Sequence, residues 1–272
     1  MSIMKIQNEF ASAFSQLMLR HRSIRQYKPD APVDSAFVDD VLVQALAGSS
    51  SSGNLNMVSV VKSFDPERRA RLCELHSGQP MVLQAPLVLT FCADSQRTRD
   101  WLGQRQARLG FGDFLAWHVA SFDAVILAQT TALALESHGL GICYMGTTLQ
   151  SMGAIAELLE LPGYCLPVTS LVVGWPDETP AQRDRLPGRA WIHEERYRPS
   201  TPESIDRDFG ERERRGWDRY RSMGPEMAAQ MDAHGITSLA QFYTSKIKYD
   251  PDRQAVTSEA LAALLRQRGF LG

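Results

Sequence analysis

Apolar residues recur at helical spacing near the start of the chain, where Ile6, Phe10, Ala13, Phe14, Leu17 and Met18 share a face. That spacing predicts an amphipathic helix over about residues 5–20. Pro29 and Pro32 then bias the chain towards extended conformations. Asp34 fits the N-cap of a second helix that carries Phe37, Val38, Val41, Leu42, Ala45 and Leu46 on one side. A polar loop, Gly48 to Asn56, leads into Met57–Val61, which reads as a buried strand. Pro66–Leu75 is expected to be helical, Ser77 to Pro80 a turn, and Pro86–Ala93 a strand whose apolar run is broken only by Thr90. Gln96–Gly112 is polar and basic and reads as a mobile excursion. Phe114–Ser137 is apolar most of the way round at helical periodicity, which predicts a central buried helix. A membrane span is the sharper alternative, but Trp117-His118 and Ser121 to Asp123 interrupt the run. Gly139-Leu140-Gly141 should cap that helix, followed by a strand (Ile142–Met145), a helix (Met152–Leu159) and a further strand (Pro167–Gly174).

The C-terminal stretch differs in character. Residues 201–272 carry eleven Lys/Arg and eleven Asp/Glu and read as helices, the last with Leu261, Leu264 and Leu265 on one side. The division expected is a core over residues 1–198 and a helical extension, 199–272, wrapping the core or a partner subunit.

Composition narrows the classes. The 272 residues are 44% hydrophobic and 22% charged, as in ordinary soluble globular proteins. A net charge of −2 gives no electrostatic reason to bind nucleic acid or an anionic membrane, so neither is expected as a partner. The N-terminus lacks an apolar core followed by a small-residue cleavage site. Cys73, Cys92, Cys143 and Cys165 are widely separated and form no CxxC pair, which fits buried free thiols in a reducing cytoplasm. The six histidines show no ligand spacing, so no metal site is expected. GxGxxG, GxxxxGK[ST], HExxH and GxSxG are all missing.

What remains is cationic. Arg20 to Tyr27 packs Arg20, His21, Arg22, Ser23 and Arg25 into eight residues. The Arg fork matches phosphate geometry, so the cluster is a candidate phosphate cradle. It is equally a candidate for a solvated basic helix end, and on spacing alone the general exposure of charged residues favours that second reading. The Ser50-Ser51-Ser52 run can be a flexible linker, or it can present hydroxyls and backbone N–H groups to a ligand. Two dispersed Arg groups converging on one phosphate, here Arg22 and Arg25 with Arg183 and Arg185, would suit a mononucleotide cofactor.

His21-Arg22-Ser23-Ile24-Arg25-Gln26-Tyr27 resembles the opening motif of the nitroreductase family of FMN flavoproteins. Ser50 to Asn56, Gly78-Gln79, and Gly139-Leu140-Gly141 with Tyr144-Met145-Gly146 resemble it too. Gly174-Trp175-Pro176, Arg185-Leu186-Pro187 and His193 to Tyr197 are similar to the subgroup of oxygen-insensitive NADPH nitroreductases and NADPH–flavin oxidoreductases. The match covers about residues 10–198.

The resemblance implies an α+β nitroreductase-like fold, a mostly antiparallel central sheet flanked by helices, in an interlocked homodimer with FMN at the subunit interface. It implies that His21, Arg22, Ser23 and Arg25 hold the phosphate and ribityl chain, with Arg183 and Arg185 closing on the phosphate. Ser50, Ser51, Ser52 and Asn54 would reach in from the other subunit. Gln79 would bond the pyrimidine edge, and Tyr144, Gly146 and Thr147 would lie along the ring. NADPH or NADH would be the donor and a nitroaromatic or quinone the acceptor, by a ping-pong two-electron mechanism without a catalytic side chain. The alternatives are a flavin reductase supplying reduced FMN and a non-catalytic flavin-binding dimer. The chain departs from the subgroup where Thr147 replaces a second glycine, where Arg183 replaces a lysine, and in lacking its basic motif for the NADPH 2′-phosphate. Arg219, Arg221, Lys246 and Lys248 could serve that phosphate or simply be exposed cations.

Overall fold

The first helix, α1 (Glu9–Arg20), delivers the chain to the basic segment. The computed structural model describes residues 9–272, and their side chains from residue 12 onward. The expected start of α1 with Ile6, and the side chain of Phe10, lie outside the described residues. In α2 (Ser35–Ala47) the Asp34 carboxylate accepts from the Phe37 backbone N–H at 2.8 Å, a side-chain cap as expected. Val38, Val41 and Ala45 are buried, but Leu46 is not on that face; it is exposed, as is Val43.

The sheet is built from β1 (Val58–Ser63), β2 (Leu87–Asp94), β3 (Gly141–Met145) and β4 (Cys165–Gly174). Its order is β1-β2-β4-β3 and every pairing is antiparallel. Each strand alternates its side chains between two apolar layers. Leu87, Leu89, Phe91, Leu171, Val173 and Ile142 meet α2 and α6 (Asp113–Ser137). Val88, Val172, Cys143 and Met145 meet α3 (Pro66–Leu75), α4 (Met81–Gln84) and α7 (Met152–Leu158). Because helices cover both faces, β2 is buried along its whole length. Thr90, the one polar residue in its apolar run, lies 3.3 Å from the Ser170 hydroxyl, which Thr148 joins at 3.2 Å. A buried hydroxyl is tolerated when it is bonded.

Two sequence expectations change. Residues 96–104 form a helix, α5 (Gln96–Gln104), rather than a mobile excursion. Its polar side chains tie it down: the Arg97 guanidinium donates to the Asn56 and Val58 carbonyls at 2.9 and 2.6 Å. Arg99 pairs with Asp113 at 2.7 Å and lies 3.9 Å from the centre of the Tyr164 ring. Helix α6 is only half buried. Ala124, Ala128 and Leu135 face the sheet at 0% exposure, while Phe122 is 62% and Val125 48% exposed. By length and hydropathy α6 would pass as a membrane span, yet half of its most apolar window packs inside the fold, as in a core helix.

All four cysteines are free and buried. The chain divides into two compact units, Met1–Gln182 with Ala260–Gly272, and Arg183–Glu259. The second contains α8 (Pro202–Arg221), α9 (Pro225–Ala233) and α10 (Leu239–Tyr243) around Met231, Ile236, Leu239 and Phe242. Helix α11 (Pro251–Gln267) ends the chain, and Leu265 and Phe270 are buried with Met152, Ala156 and Leu166 of the first unit.

Candidate functional site

The basic segment is not a helix end beyond Arg20. Residues 21–27 run extended along the open edge of β3. The Ile24 N–H donates to the Ile142 carbonyl at 2.9 Å, and Ser23 bridges Ile142 in parallel. Ile24 and Tyr27 are buried, while Arg25 and Gln26 remain exposed. The Tyr27 hydroxyl donates to the Ile24 and Val172 carbonyls at 2.8 and 3.2 Å, and its burial pushes the phenol well above its ordinary pKa.

Paired glycines make this approach possible. Gly141 and Gly174 face each other across β3 and β4. A Cβ on Gly141 would stand 2.8 Å from the Ile24 side chain, and one on Gly174 would stand 2.8 Å from the Tyr27 ring. We therefore expect Gly141→Val to force Ile24 and its flanking arginines off the sheet edge. The cost should be about 1–3 kcal/mol in urea unfolding, as for other overpacked cores. An unchanged midpoint would show that the edge tolerates a side chain there.

The segment borders a cavity of about 350 Å³ lined by Arg20, His21, Arg22 and Glu136. His21 Nδ1 lies 2.8 Å from a Glu136 oxygen. Arg22 Nη1 donates to the Arg20 carbonyl at 3.1 Å, whereas its buried Nε has no hydrogen-bond partner among the described residues. Arg25 donates only to the Ser23 carbonyl at 3.3 Å, and Glu178 takes the Arg25 and Gln26 backbone N–H groups. Among the described residues no ion pair involves Arg22 or Arg25. Two guanidinium groups without carboxylate partners at one sheet edge suit an anionic ligand.

The serine loop lies elsewhere in the unit. Ser50, Ser51 and Ser52 border a hollow of about 420 Å³ with Phe122, Val125 and Ile126 on the exposed face of α6. Ser51 is committed internally: its hydroxyl donates to Asp123 at 2.7 Å and accepts from the Asn56 N–H at 2.8 Å. Asn54 is exposed in the left-handed region at φ 55°, and its oxygens accept from the Asn56 amide.

A third group forms where the α3–α4 turn meets the end of β3. The Gln79 amide nitrogen donates to the His76 carbonyl at 3.1 Å and lies 3.4 Å from the Thr147 hydroxyl. Gly146 and Gly78 beside it both face open space, since a Cβ on either would meet nothing within 4 Å. Tyr144 instead packs its ring against the α6 side of the sheet, with its hydroxyl 3.2 Å from the Gln129 amide oxygen. Burial, reinforced by Glu136, pushes that phenol up to about 12, so it stays protonated.

Arg183 and Arg185 belong to the second unit, where Arg185 donates to the carbonyls of Arg183 and Asp184 at 3.2 and 3.4 Å. Of the cations considered for a 2′-phosphate, Arg221 pairs with Asp232 and Lys248 donates to the Tyr220 hydroxyl at 3.1 Å. Both are thus engaged within their own unit.

Sequence reasoning missed His76, Glu136 and Asp123. No local pattern marks any of them, because the partner of each lies 66 or more positions away in the chain.

An antiparallel sheet covered by helices on both faces, with two arginines that have no ion-pair partner among the described residues at the β3 edge, defines an α+β protein. Residues 18–175 match the model of the nitroreductase family, and the chain belongs to that family. It is 37% identical over 182 residues to an FMN reductase [NAD(P)H] of Bacillus subtilis, covering 65% of this chain and 71% of that one. It is 35% identical over 184 residues to an oxygen-insensitive NADPH nitroreductase of Salmonella typhimurium, covering 68% and 74%. Its fold matches the NADPH:FMN oxidoreductase of Vibrio harveyi in complex with NAD+ at a TM-score of 0.73 and 26% identity, covering 94% and 98%.

Proposed function

We propose that the protein is an FMN-dependent NAD(P)H oxidoreductase that reduces nitroaromatic or quinone acceptors by two electrons. The observation that carries this reading is the pair of arginines, Arg22 and Arg25, held along β3 with no carboxylate partner among the described residues. The residues present fit FMN: the buried, unpartnered Arg22 Nε is a donor suited to a phosphate oxygen, and the space beside Gly78 and Gly146 leaves room for a flat ring.

When bound, FMN supplies the hydride-accepting and hydride-donating chemistry. The chain has other tasks. His21, Arg22, Ser23 and Arg25 hold the phosphate and ribityl chain. Gln79, Gly146 and Thr147 border the ring, with Tyr144 packed behind. No side chain need act as acid or nucleophile, so positioning of donor and then acceptor over the same ring accounts for turnover.

The reading includes a homodimer in which Ser50, Ser52 and Asn54 of a second copy complete the site. In its support, Phe122, Val125 and Ile126 of α6 and Phe14, Met18 and Leu19 of α1 are exposed, and exposed apolar faces mark interaction surfaces when they are contiguous. A reducing, cytoplasmic setting suits the four free thiols.

A second reading, flavin reductase, is favoured by the name of the Bacillus subtilis relative. Oxidation of NADH and NADPH with nitrofurazone, benzoquinone or free FMN as acceptor distinguishes the two. We expect a yellow protein whose flavin absorbance bleaches on adding NAD(P)H before any acceptor is present. A colourless protein that takes up no FMN refutes the assignment.

A further inference from the structure

Behind Thr147 sits a histidine with no solvent contact. His76 caps the C-terminal end of α3 and is 0% exposed. Its Nδ1 lies 2.9 Å from the Thr147 hydroxyl oxygen, and its buried Nε2 has no partner among the described residues.

Counting donors and acceptors settles which way the hydroxyl points. The Gln79 amide nitrogen faces two oxygens, the His76 carbonyl and Thr147 Oγ1. The carbonyl can only accept, so this atom is the NH₂ end of the amide and donates to both. A neutral imidazole carries one proton. On Nε2 that proton would be a buried, orphaned N–H; on Nδ1 it leaves only an orphaned lone pair, which folded proteins tolerate better. The Nδ1–H form therefore prevails, and His76 donates to Thr147. With both lone pairs of Oγ1 occupied, by His76 and by Gln79, the hydroxyl proton is left for a partner outside the protein. It has no protein acceptor among the described residues and sits next to the open space at Gly146 and Gly78.

We propose that Thr147 is a dedicated hydrogen-bond donor to an acceptor atom on the flavin ring, and that His76 is the positioning residue that fixes its direction. This deepens the FMN reading and rests on it. The atom meant is N1 or a ring carbonyl oxygen: these gain electron density on reduction, whereas N5 takes up the hydride and becomes a donor itself, so a donor aimed at one of them favours the reduced form. Depression of the imidazole pKa to about 4 by burial keeps His76 neutral at physiological pH, as this arrangement needs.

Three measurements test the proposal. In the flavin-free protein, two-bond ¹H–¹⁵N correlation spectra of the histidine rings should show His76 as the Nδ1–H tautomer; the Nε2–H tautomer would overturn the directional argument. In the FMN-loaded protein, Thr147→Val should weaken binding of reduced relative to oxidised FMN about tenfold. That lowers the two-electron midpoint potential by about 30 mV, with a shift of the flavin absorption bands, while Thr147→Ser keeps the wild-type values. His76→Leu should move the potential in the same direction, and His76→Asn, whose amide can donate from near the Nδ1 position, should restore it. An unchanged or raised potential in Thr147→Val overturns the proposal even if the His76 variants fold poorly. Failure of the wild-type protein to bind FMN refutes the underlying assignment instead, and leaves the tautomer measurement to decide the fate of the His76–Thr147 contact.

Discussion

Replacing Arg22 and Arg25 together by alanine should yield a folded protein that purifies colourless and binds FMN roughly 10²–10⁴-fold more weakly than wild type. Hydrogen bonds to charged groups are each worth about 1.5–3 kcal/mol, and 1.4 kcal/mol is a factor of ten. Arg22 should dominate, because its guanidinium is half buried with an unpartnered Nε, whereas the exposed Arg25 is screened by solvent. Among the described residues neither side chain has an ion-pair partner to lose, so the unfolding midpoint should barely move. That separation of affinity from stability is the informative part. Isothermal titration of the flavin-free proteins with FMN measures it, and full yellow colour in the double variant would remove the phosphate assignment.

The second large effect is on acid stability. Burial depresses the His76 imidazole to about 4, against about 6.5 in an unfolded chain. The sign follows from which state takes up the proton. Below pH 6.5 the unfolded chain binds it and the folded protein does not, so stability is fully present above that pH and falls as the solution is acidified towards pH 4. From neutrality to pH 4.5 this one group should remove about 2.5 kcal/mol. Carboxylates held low by arginines, such as Asp208 and Asp232, also weaken the fold in acid. The comparison is therefore between wild type and His76→Asn: urea unfolding at pH 7.5 and 4.5 should show a steeper loss in the wild type. Parallel curves would mean that His76 titrates normally when folded.

Local signals in the sequence carried far. The unbroken apolar run of β2, the Asp34 cap of α2 and the glycines before β3 are read from neighbouring residues, and the structure places those elements as expected. Helix α5 was misread because its order comes from elsewhere: Arg97 grips carbonyls about forty residues earlier, and no pattern within residues 96–104 records them. The exposed face of α6 was hidden for a related reason, since an apolar helix looks the same in sequence whether its second side meets core or open surface. The arginines, serines and Gln79 were singled out as candidates through ordered motifs. His76 was passed over because a lone histidine is ordinarily structural, and only the fold reveals that it stands 2.9 Å from Thr147.

The last residues of the chain have a practical consequence. Phe270 is fully buried beside Trp117 and Tyr164, two residues from the C-terminus. Shortening the polypeptide at Glu259, where the charged excursion stops, would therefore unseat a plug from the main body instead of trimming an ornament. Segment exchange with related enzymes should keep both anchorage points and swap only what lies between Gln182 and Ala260.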